Sequence, residues 1–345
     1  MTICVKDLTA SDLHQCLATL GVSPRLARQL HGSVVRQGAI PTALPGVSPR
    51  LLQQVQQAIH IPHLQRLDKR VSAEDGFTKY LFRGAGPEPF EAVGIPLVHR
   101  PEDCKYVVCV SSQVGCAMGC TFCATGRMGL IRNLEPWEMV DQVIQVQADS
   151  PHPVRGVVFM GMGEPLANYD AVIQACRILS EPSGLAIGAK AITISTVGLV
   201  PAIRRYTAEG HHYRLVVSLT SADPDQRREL MPVERVHPTA DLIRALREYH
   251  QTSGRRVMLA WIMLAGVNTR AEDARRLAEL TAGLPIKLDL IDVNDPTGRF
   301  RAPTREELGA FRDALTAELG MPVARRYSGG RDIHAACGML AGGGE

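Results

Sequence analysis

The sequence of 345 residues lacks any apolar run close to the roughly 20 residues that a membrane-spanning helix requires. It also lacks a charged-then-apolar leader after Met1, so we expect a protein of the cytoplasm that is neither exported nor membrane-bound. No internal repeat is visible. With 45% hydrophobic and 21% charged residues, the composition excludes disordered and collagen-like chains and is typical of a globular protein.

The nine cysteines are an odd number in a medium-sized chain without a signal peptide, which argues against a secreted disulfide framework. We therefore expect most thiols to be reduced and some to carry out chemistry. The net charge is only +3, but residues 1–70 contain 8 Lys and Arg against 3 Asp and Glu. This local excess favours either a polyanionic partner or solvated helix faces.

The N-terminal part has the pattern of a small helical domain, which we assign to residues 1–70 as an accessory domain of RNA-binding type. Apolar residues recur at helical spacing from Thr9 to about Ile59, and Ser-Pro and Pro-Gly breakers separate the segments. Two apolar runs, Tyr80 to Phe82 and Phe90 to Ile95, flank a Gly-rich turn and predict a β-hairpin. We place this hairpin in a linker over residues 71–103.

From Cys104 onward, short β-branched runs alternate with stretches of helical period, and this strand–helix unit occurs six times. Such a series predicts an α/β fold, a partial (βα)6 TIM-like barrel over residues 104–327, with a C-terminal loop over 328–345. Active-site residues are expected at the ends of its strands. The predicted strands are Tyr106–Val110, Gly156–Met160, Ala191–Ser195, Leu215–Leu219, Val257–Met263 and Lys287–Asp292, and the predicted helices cover about 135–148, 168–180, 198–209, 239–252, 270–282 and 304–319.

Three cysteines follow the first predicted barrel strand in a C-x3-C-x2-C arrangement, namely Cys116, Cys120 and Cys123. A structural zinc site normally has four protein ligands, and no Cys or His at matching spacing supplies a fourth nearby. A 4Fe–4S cluster held by three cysteines leaves one iron open, which suits a cofactor that must be chelated and reduced in place. S-adenosylmethionine (SAM) is such a ligand, because its amino and carboxylate groups can bind iron and its sulfonium can be cleaved to a radical.

This cluster spacing after the first strand of a six-unit barrel resembles the radical SAM superfamily. From about residue 76 to residue 341 the chain resembles one subfamily, the RlmN/Cfr-type RNA methyltransferases. The segments that carry the resemblance are Cys109-Val-Ser-Ser-Gln-Val-Gly-Cys116, Phe159-Met-Gly-Met-Gly-Glu164-Pro165, Ile194-Ser195-Thr-Val-Gly198, Met231-Pro232 and Asp332-Ile-His-Ala-Ala-Cys337-Gly338.

The resemblance implies a two-stage methylation of an amidine carbon, C2 or C8, of an adenosine in ribosomal RNA and in some members also transfer RNA. One SAM methylates a cysteine that matches Cys337, and a second SAM, bound to a single three-cysteine 4Fe–4S cluster, supplies the radical. Attack by a second cysteine, matching Cys109, releases the product and leaves a disulfide bond. The base that removes the ring proton matches Glu91.

The resemblance also implies the SAM contacts and the partners. The chain is expected to act as a monomer, with RNA as substrate and a low-potential electron donor such as flavodoxin or ferredoxin, and without a membrane partner. RNA would have to present an unpaired or flipped adenosine, because a barrel cannot reach a stacked base. The residues implied in SAM binding are Gly163, Glu164, Ser195, Ser218, Leu219, Thr220 and Asn294.

The chain departs from the family pattern at Thr220 (usually His), Asp295 (usually Pro), His334 (usually Asp) and Met339 (usually Gln). These departures motivate an alternative, in which the same chemistry methylates a small metabolite or a peptide. A third hypothesis is an iron–sulfur or zinc protein that binds RNA without turnover. Four arginine pairs are predicted to lie on solvated faces, with some as candidates for an RNA approach path: Arg204-Arg205, Arg227-Arg228, Arg255-Arg256 and Arg325-Arg326.

Overall fold

The computed structural model describes residues 2–98, 104–295 and 297–342. The predicted linker and C-terminal loop therefore each include residues outside the described ranges. The N-terminal part consists of β1 (Ile3–Cys4), α1 (Ala10–Leu17), α2 (Pro24–Gln37), α3 (Pro49–Ala58) and β2 (Ile59–His60).

The three N-terminal helices begin where short hydroxyl side chains can cap them. Thr9, Ser23 and Ser48 each accept a hydrogen bond from a backbone N–H of the first helical turn. Their apolar faces form a small core of their own, which contains Leu17 and Val34. The helical prediction is thus confirmed, whereas the short parallel pairing of β1 with β2 was not predicted from the sequence.

The remaining chain forms one large sheet with helices outside it. It begins with β3 (Gln65–Val71), β4 (Thr78–Arg83), β5 (Phe90–Val98) and β6 (Cys104–Cys109), followed by the hairpin strands β7 (Gln113–Cys116) and β8 (Gly129–Asn133), which flank α4 (Ala124–Arg127). It continues through α5 (Pro136–Asp149), β9 (Val154–Phe159), α6 (Tyr169–Ser180), β10 (Ile192–Thr196), α7 (Val200–Ala208), β11 (Arg214–Ser218), α8 (Pro224–Leu230), α9 (Thr239–Ser253), β12 (Val257–Met263), α10 (Ala271–Leu280), β13 (Ile286–Asp292), α11 (Arg305–Leu319) and β14 (Ala324–Arg326).

The sheet has ten strands in the order β14-β13-β12-β11-β10-β9-β6-β5-β4-β3. All pairings from β6 to β14 are parallel, as the six strand–helix units require, and β3 to β6 pair antiparallel. The predicted partial barrel and the predicted hairpin are confirmed. The hairpin extends the barrel sheet, and its neighbour β3 contains residues 65–70 of the proposed accessory domain; the boundary at residue 70 stays a prediction.

The core lies between the barrel sheet and its outer helices. Trp261 and Phe159 on the strands and Phe311 on α11 are fully buried there. Within the described ranges, no helix is both long and apolar enough to cross a membrane.

A buried ion pair joins the N-terminal part to the barrel. The ammonium of Lys6 lies 2.6 Å from Oδ1 of Asp141 on α5, and both side chains are fully buried. Lys6 also donates to the carbonyl of Pro62, while Oδ2 of Asp141 accepts from the backbone N–H of Leu64. Because charges are costly to bury unless they are paired and hydrogen-bonded, these contacts hold the small helical core against α5.

Lys6→Met tests this junction. We expect the free energy of unfolding to fall by about 3–5 kcal/mol, because Asp141 is left as an uncompensated buried charge. Urea denaturation followed by circular dichroism measures the loss. The matched control is Arg66→Gln, which removes the exposed pair with Asp149 and should cost less than about 1 kcal/mol. Equal losses in the two variants would contradict the role given to Lys6.

Candidate active site

The three-cysteine loop is presented by the hairpin β7–β8. Gly115 of β7 has φ +71°, and a Cβ there would lie 1.9 Å from the carbonyl oxygen of Gly129, so only glycine allows this close pairing. The loop is fastened to the barrel by Thr121, whose N–H donates to the carbonyl of Leu230 at 3.0 Å. The hairpin was not predicted, because its strands are only four and five residues long.

The three thiols are close together and removed from water. Cys116 and Cys120 are buried and Cys123 is half-buried. Burial raises the pKa of the Cys116 thiol to about 12, and Cys123 and Cys116 both raise the pKa of Cys120 further. A thiolate in this loop therefore requires a cation beside it, which bound metal would supply.

The donor set fits an iron–sulfur cluster better than a zinc ion. In the part of the chain that the structure describes, no three His, Cys, Asp or Glu side chains are grouped to hold one metal ion. A structural zinc site normally has four protein ligands, whereas this loop offers three cysteines. Two buried thiols and one half-buried thiol on one loop match the three ligands of a 4Fe–4S cluster with one iron left open. Cys116, Cys120 and Cys123 would hold it.

Gly163 and Glu164 lie where β9 ends, beside the cysteine hairpin. Gly163 has φ +101°, and a Cβ would lie 2.6 Å from Cβ of Gln113. The side-chain oxygen of Gln113 accepts from the N–H of Glu164 at 2.8 Å. The carboxylate of Glu164 is buried and accepts from the N–H groups of Leu166 and Val197, and burial raises its pKa to about 7. Glu164 therefore connects the ends of β9 and β10 and would gain from a nearby cation such as an amino group.

Two polar side chains, one after β11 and one after β13, are buried and have one oxygen without a hydrogen-bond partner among the described residues. Thr220, after β11, has φ +61° and an Oγ1 with no hydrogen bond, and Oδ1 of Asn294, after β13, is equally unpartnered. A buried polar atom without a partner is costly and rare, so these two oxygens point to a polar ligand. They fit SAM, whose amino acid and ribose groups can hydrogen-bond with them.

The remaining residues implied in SAM binding differ in their burial and in whether their backbone groups are already hydrogen-bonded. Ser195 and Ser218 are half-buried at the ends of β10 and β11. Leu219 is fully buried, its N–H donates to Ala260, and its carbonyl accepts from Nε of Arg227. The backbone of Leu219 is thus engaged within the barrel, and its SAM contact stays a prediction.

Arg227 corrects a prediction, because it does not lie on a solvated face. The residue is fully buried, with Nη1 2.5 Å from Oε2 of Glu234 and Nη2 2.7 Å from the carbonyl of Val197. With its bond to Leu219, it links the ends of β10 and β11 to the segment after α8. The sequence of two adjacent arginines does not indicate which of them is buried. Arg228, the neighbour of Arg227, is exposed.

The two cysteines implied in methyl transfer line one cavity of about 410 Å³ inside the barrel, and Cys123 lines the same cavity. Both are unbonded thiols, Cys109 buried at the end of β6 and Cys337 half-buried in the C-terminal loop. Burial raises the pKa of Cys109 to about 12, and the proximity of Cys337 raises it too. Apolar side chains including Val158 and Val216 form the wall around them.

Backbone groups fix the C-terminal loop across the barrel mouth. The N–H of Cys337 donates to Oγ of Ser328, and its carbonyl accepts from Nδ2 of Asn294 at 3.2 Å. The carbonyl of Gly338 accepts from Ala124 of α4, so the loop is also hydrogen-bonded to the segment that follows Cys123.

Glu91 on β5 lies beneath the end of this loop. Its carboxylate is buried, with Oε1 3.0 Å from the ammonium of Lys79 and Oε2 accepting from the N–H groups of Ala341 and Gly342. It is thus an anchor for the chain end in this conformation. Its role as a base stays a prediction.

Two of the departures from the family pattern have local explanations. His334 is exposed and has φ +53°, a left-handed conformation in which His, Asn and Asp are enriched. The backbone conformation at this position, rather than a contact of the imidazole, therefore explains the residue type. Asp295 accepts from the N–H groups of Thr297 and Phe300 and lies 3.5 Å from Arg127. Asp295 therefore closes a turn beside the cysteine loop.

Comparison with known proteins agrees with this geometry. Residues 110–279 match the family model of the Radical SAM superfamily. A solved structure described as a radical SAM methyltransferase from Sphaerobacter thermophilus has a TM-score of 0.88 and 39% identity, covering 99% of each chain. Fold and site together define a radical SAM methyltransferase.

Similarity to curated proteins narrows the family. A "Probable RNA methyltransferase" from Myxococcus xanthus is 48% identical over 98% of this chain and 94% of that protein. A "Dual-specificity RNA methyltransferase RlmN" from Syntrophobacter fumaroxidans is 40% identical over 98% of each chain. The chain belongs to the RlmN-type family of radical SAM RNA methyltransferases.

Arg227→Met tests whether the buried guanidinium holds the strand ends. We expect a loss of about 3–5 kcal/mol in the free energy of unfolding, because Glu234 remains buried without its partner. Weaker SAM binding to the reconstituted protein, measured by equilibrium dialysis, should accompany it. Arg228→Met, beside it on the exposed face, is the control and should cost less than about 1 kcal/mol. Unchanged stability in Arg227→Met would refute the assignment.

Proposed function

We propose that this protein methylates an amidine carbon, C2 or C8, of an adenosine in ribosomal or transfer RNA, through a methyl group carried by Cys337. The observation that carries the proposal is that Cys337, Cys109 and Cys123 line one cavity. A methyl carrier, a second thiol and a cluster ligand are thereby brought to the same reaction space.

The chemistry of the target explains why such a space is needed. C2 and C8 of adenine are electron-poor sp2 carbons, so they cannot attack the methyl group of SAM as an amine would. When bound, the cluster and SAM together supply the carbon radical that activates a methyl group. Val93, Val158 and Met160 form an apolar part of the wall of that space.

Each cysteine has a separate task. The sulfur of Cys337 accepts a methyl group by displacement and later carries the bridging carbon to the adenine. The sulfur of Cys109 then attacks the sulfur of Cys337 and forms the disulfide that frees the base. The hydrogen bonds from Cys337 to Ser328 and Asn294 keep its backbone in place during both steps.

Glu91 is the proposed base for the ring proton. Because its Oε2 accepts from Ala341 and Gly342, the chain end must move before this oxygen can accept a proton. The ammonium of Lys79 lies 3.0 Å from Oε1, the other oxygen of this carboxylate.

The N-terminal part is the proposed RNA-binding element. Arg25, Arg28 and Arg50 are exposed on its helices, where they can reach phosphates. A low-potential flavodoxin or ferredoxin is the proposed electron donor, and the protein is proposed to act as a monomer in the cytoplasm.

Nucleoside mass spectrometry of ribosomal and transfer RNA, from cells with and without the protein, tests the proposal. We expect a peak of 2-methyladenosine or 8-methyladenosine that depends on the protein. Its absence, with the cluster shown to be loaded, would transfer the assignment to the metabolite or peptide substrate. With a metabolite or peptide substrate, charge reversal at Arg25, Arg28 and Arg50 would leave methylation of that substrate unchanged. The control Arg312→Glu on α11 would also leave it unchanged.

Alanine substitutions of Cys337 and Cys109 should stop RNA methylation at different steps. Cys337→Ala should reduce RNA methylation to background, because no sulfur remains to accept the methyl group. Cys109→Ala should still methylate Cys337 but accumulate a covalent RNA–protein adduct, visible by denaturing gel electrophoresis and peptide mass spectrometry. The exposed Cys16→Ala is the control and should behave as the wild type. Normal methylation by Cys337→Ala would rule out the cysteine relay.

A further inference from the structure

Arg326 on β14 is an arginine directed into the barrel. Its backbone is the parallel partner of Ile291 on β13, and Arg326 lines the cavity that contains both reactive cysteines. Nη1 of Arg326 lies 2.9 Å from Sδ of Met160. Within the described ranges no carboxylate forms an ion pair with Arg326, so its charge acts on the cavity itself.

Met160 connects Arg326 with the two cysteines. Its N–H donates to the thiol of Cys109, and its side chain packs in one apolar cluster with Cys337. Arg326 lowers the pKa of Cys109, in opposition to the burial that raises it. The guanidinium, Met160 and the two thiols therefore form one group in the cavity, which we call the thiol cluster.

The other charged groups of the cavity are engaged elsewhere or lie at a different end. Lys287 pairs with Asp289 at 3.3 Å, and the hydroxyl of Tyr327 donates to Asp75. Arg214 is the first residue of β11 and lies at the end of the barrel opposite the cysteine loop. In the described part of the cavity, Arg326 is thus the cation placed to act on Cys109.

We propose that Arg326 is a positioning residue for product release, which stabilises the thiolate of Cys109 as it attacks the thioether sulfur of Cys337. This inference rests on the proposed function. In the step, the S–S bond forms while the bond from the Cys337 sulfur to the former methyl carbon breaks. The electron pair of that bond goes to the carbon, which takes up a proton and becomes the methyl group of the adenine.

An arginine suits this position for a physical reason. A thiolate in an apolar cavity is strongly disfavoured unless a cation lies beside it, and a guanidinium keeps its charge even when half-buried. The protonated thiol would be a poor nucleophile, because the thiolate is the attacking species. The charge of Arg326 should therefore control the rate of release.

The first test needs no turnover. The reconstituted holoenzyme is treated with methyl methanethiosulfonate between pH 7 and pH 10, and modification of Cys109 is followed by peptide mass spectrometry. We expect Arg326→Gln to slow modification of Cys109 about tenfold at pH 8, which corresponds to a rise of about one unit in its pKa. Arg326→Lys should recover most of the rate. The control Arg325→Gln, on the outer face of the same strand, should match the wild type.

The second test follows the covalent adduct in single turnover with ribosomal RNA from cells that lack the protein. Arg326→Gln should accumulate the adduct and release it more slowly than the wild type, with a pH profile displaced to higher pH. Equal Cys109 reactivity and equal adduct lifetime in Arg326→Gln and wild type would overturn the inference, as would slowing by Arg326→Lys to the same extent. A change confined to RNA affinity would mean that Arg326 binds RNA. Absence of any adduct or methylated adenosine with the wild type would instead refute the proposed function.

Discussion

The hydrogen bonds that hold the C-terminal loop across the barrel mouth are the contacts on which the site depends. Cys337 lies in a loop without regular secondary structure, so its sulfur has a defined position only because neighbouring backbone groups are bound. Asn294, after β13, and Ser328, after β14, bind the backbone of Cys337, and Ala124, after the cysteine loop, binds the carbonyl of Gly338. Three parts of the chain that are distant in sequence are thereby joined around one reactive sulfur. Loss of any of them would move Cys337 relative to Cys109, and small displacements of reacting groups are costly.

Charge is buried in this protein where separate segments must meet. Lys6 and Asp141 join the helical part to the barrel, and Arg227 joins two strand ends to the segment after α8. Each charge is paired and also hydrogen-bonded to backbone groups, which compensates part of its desolvation. Arg326 is different, because it lines the cavity that contains Cys109 and Cys337 and has a thioether as its neighbour. Arg227 is neutralised by a carboxylate and has a structural role. Arg326 has no carboxylate partner among the described residues, so its charge can act on the reacting groups.

Much of the architecture could be predicted from the sequence because parallel strands and their helices have strong periodic patterns. The six predicted barrel strands and their helices are present, and so is the C-x3-C-x2-C loop, whose spacing is local, whereas the short strand β14 and the helix α8 were not predicted. The strand β3 was missed, because all seven of its residues are exposed and no apolar alternation marks it. Arg227 was misjudged and the anchoring contacts of Glu91 were not foreseen, since each depends on partners far away in the chain. Spacing along a sequence carries no information about such long-range partners.

Among the described residues, the outermost strands of the ten-stranded sheet are β14 and β3, and each pairs on one side alone. An unpaired edge can recruit a strand of another molecule. At one edge β14 is only three residues long, which offers few backbone groups. At the other, β3 carries Arg66, Asp68, Lys69 and Arg70, and its register with β4 is irregular between Arg66 and Asp68. Charges and an irregular backbone both hinder edge-to-edge pairing. The strand with the least sequence signal therefore carries the features that disfavour edge-to-edge pairing.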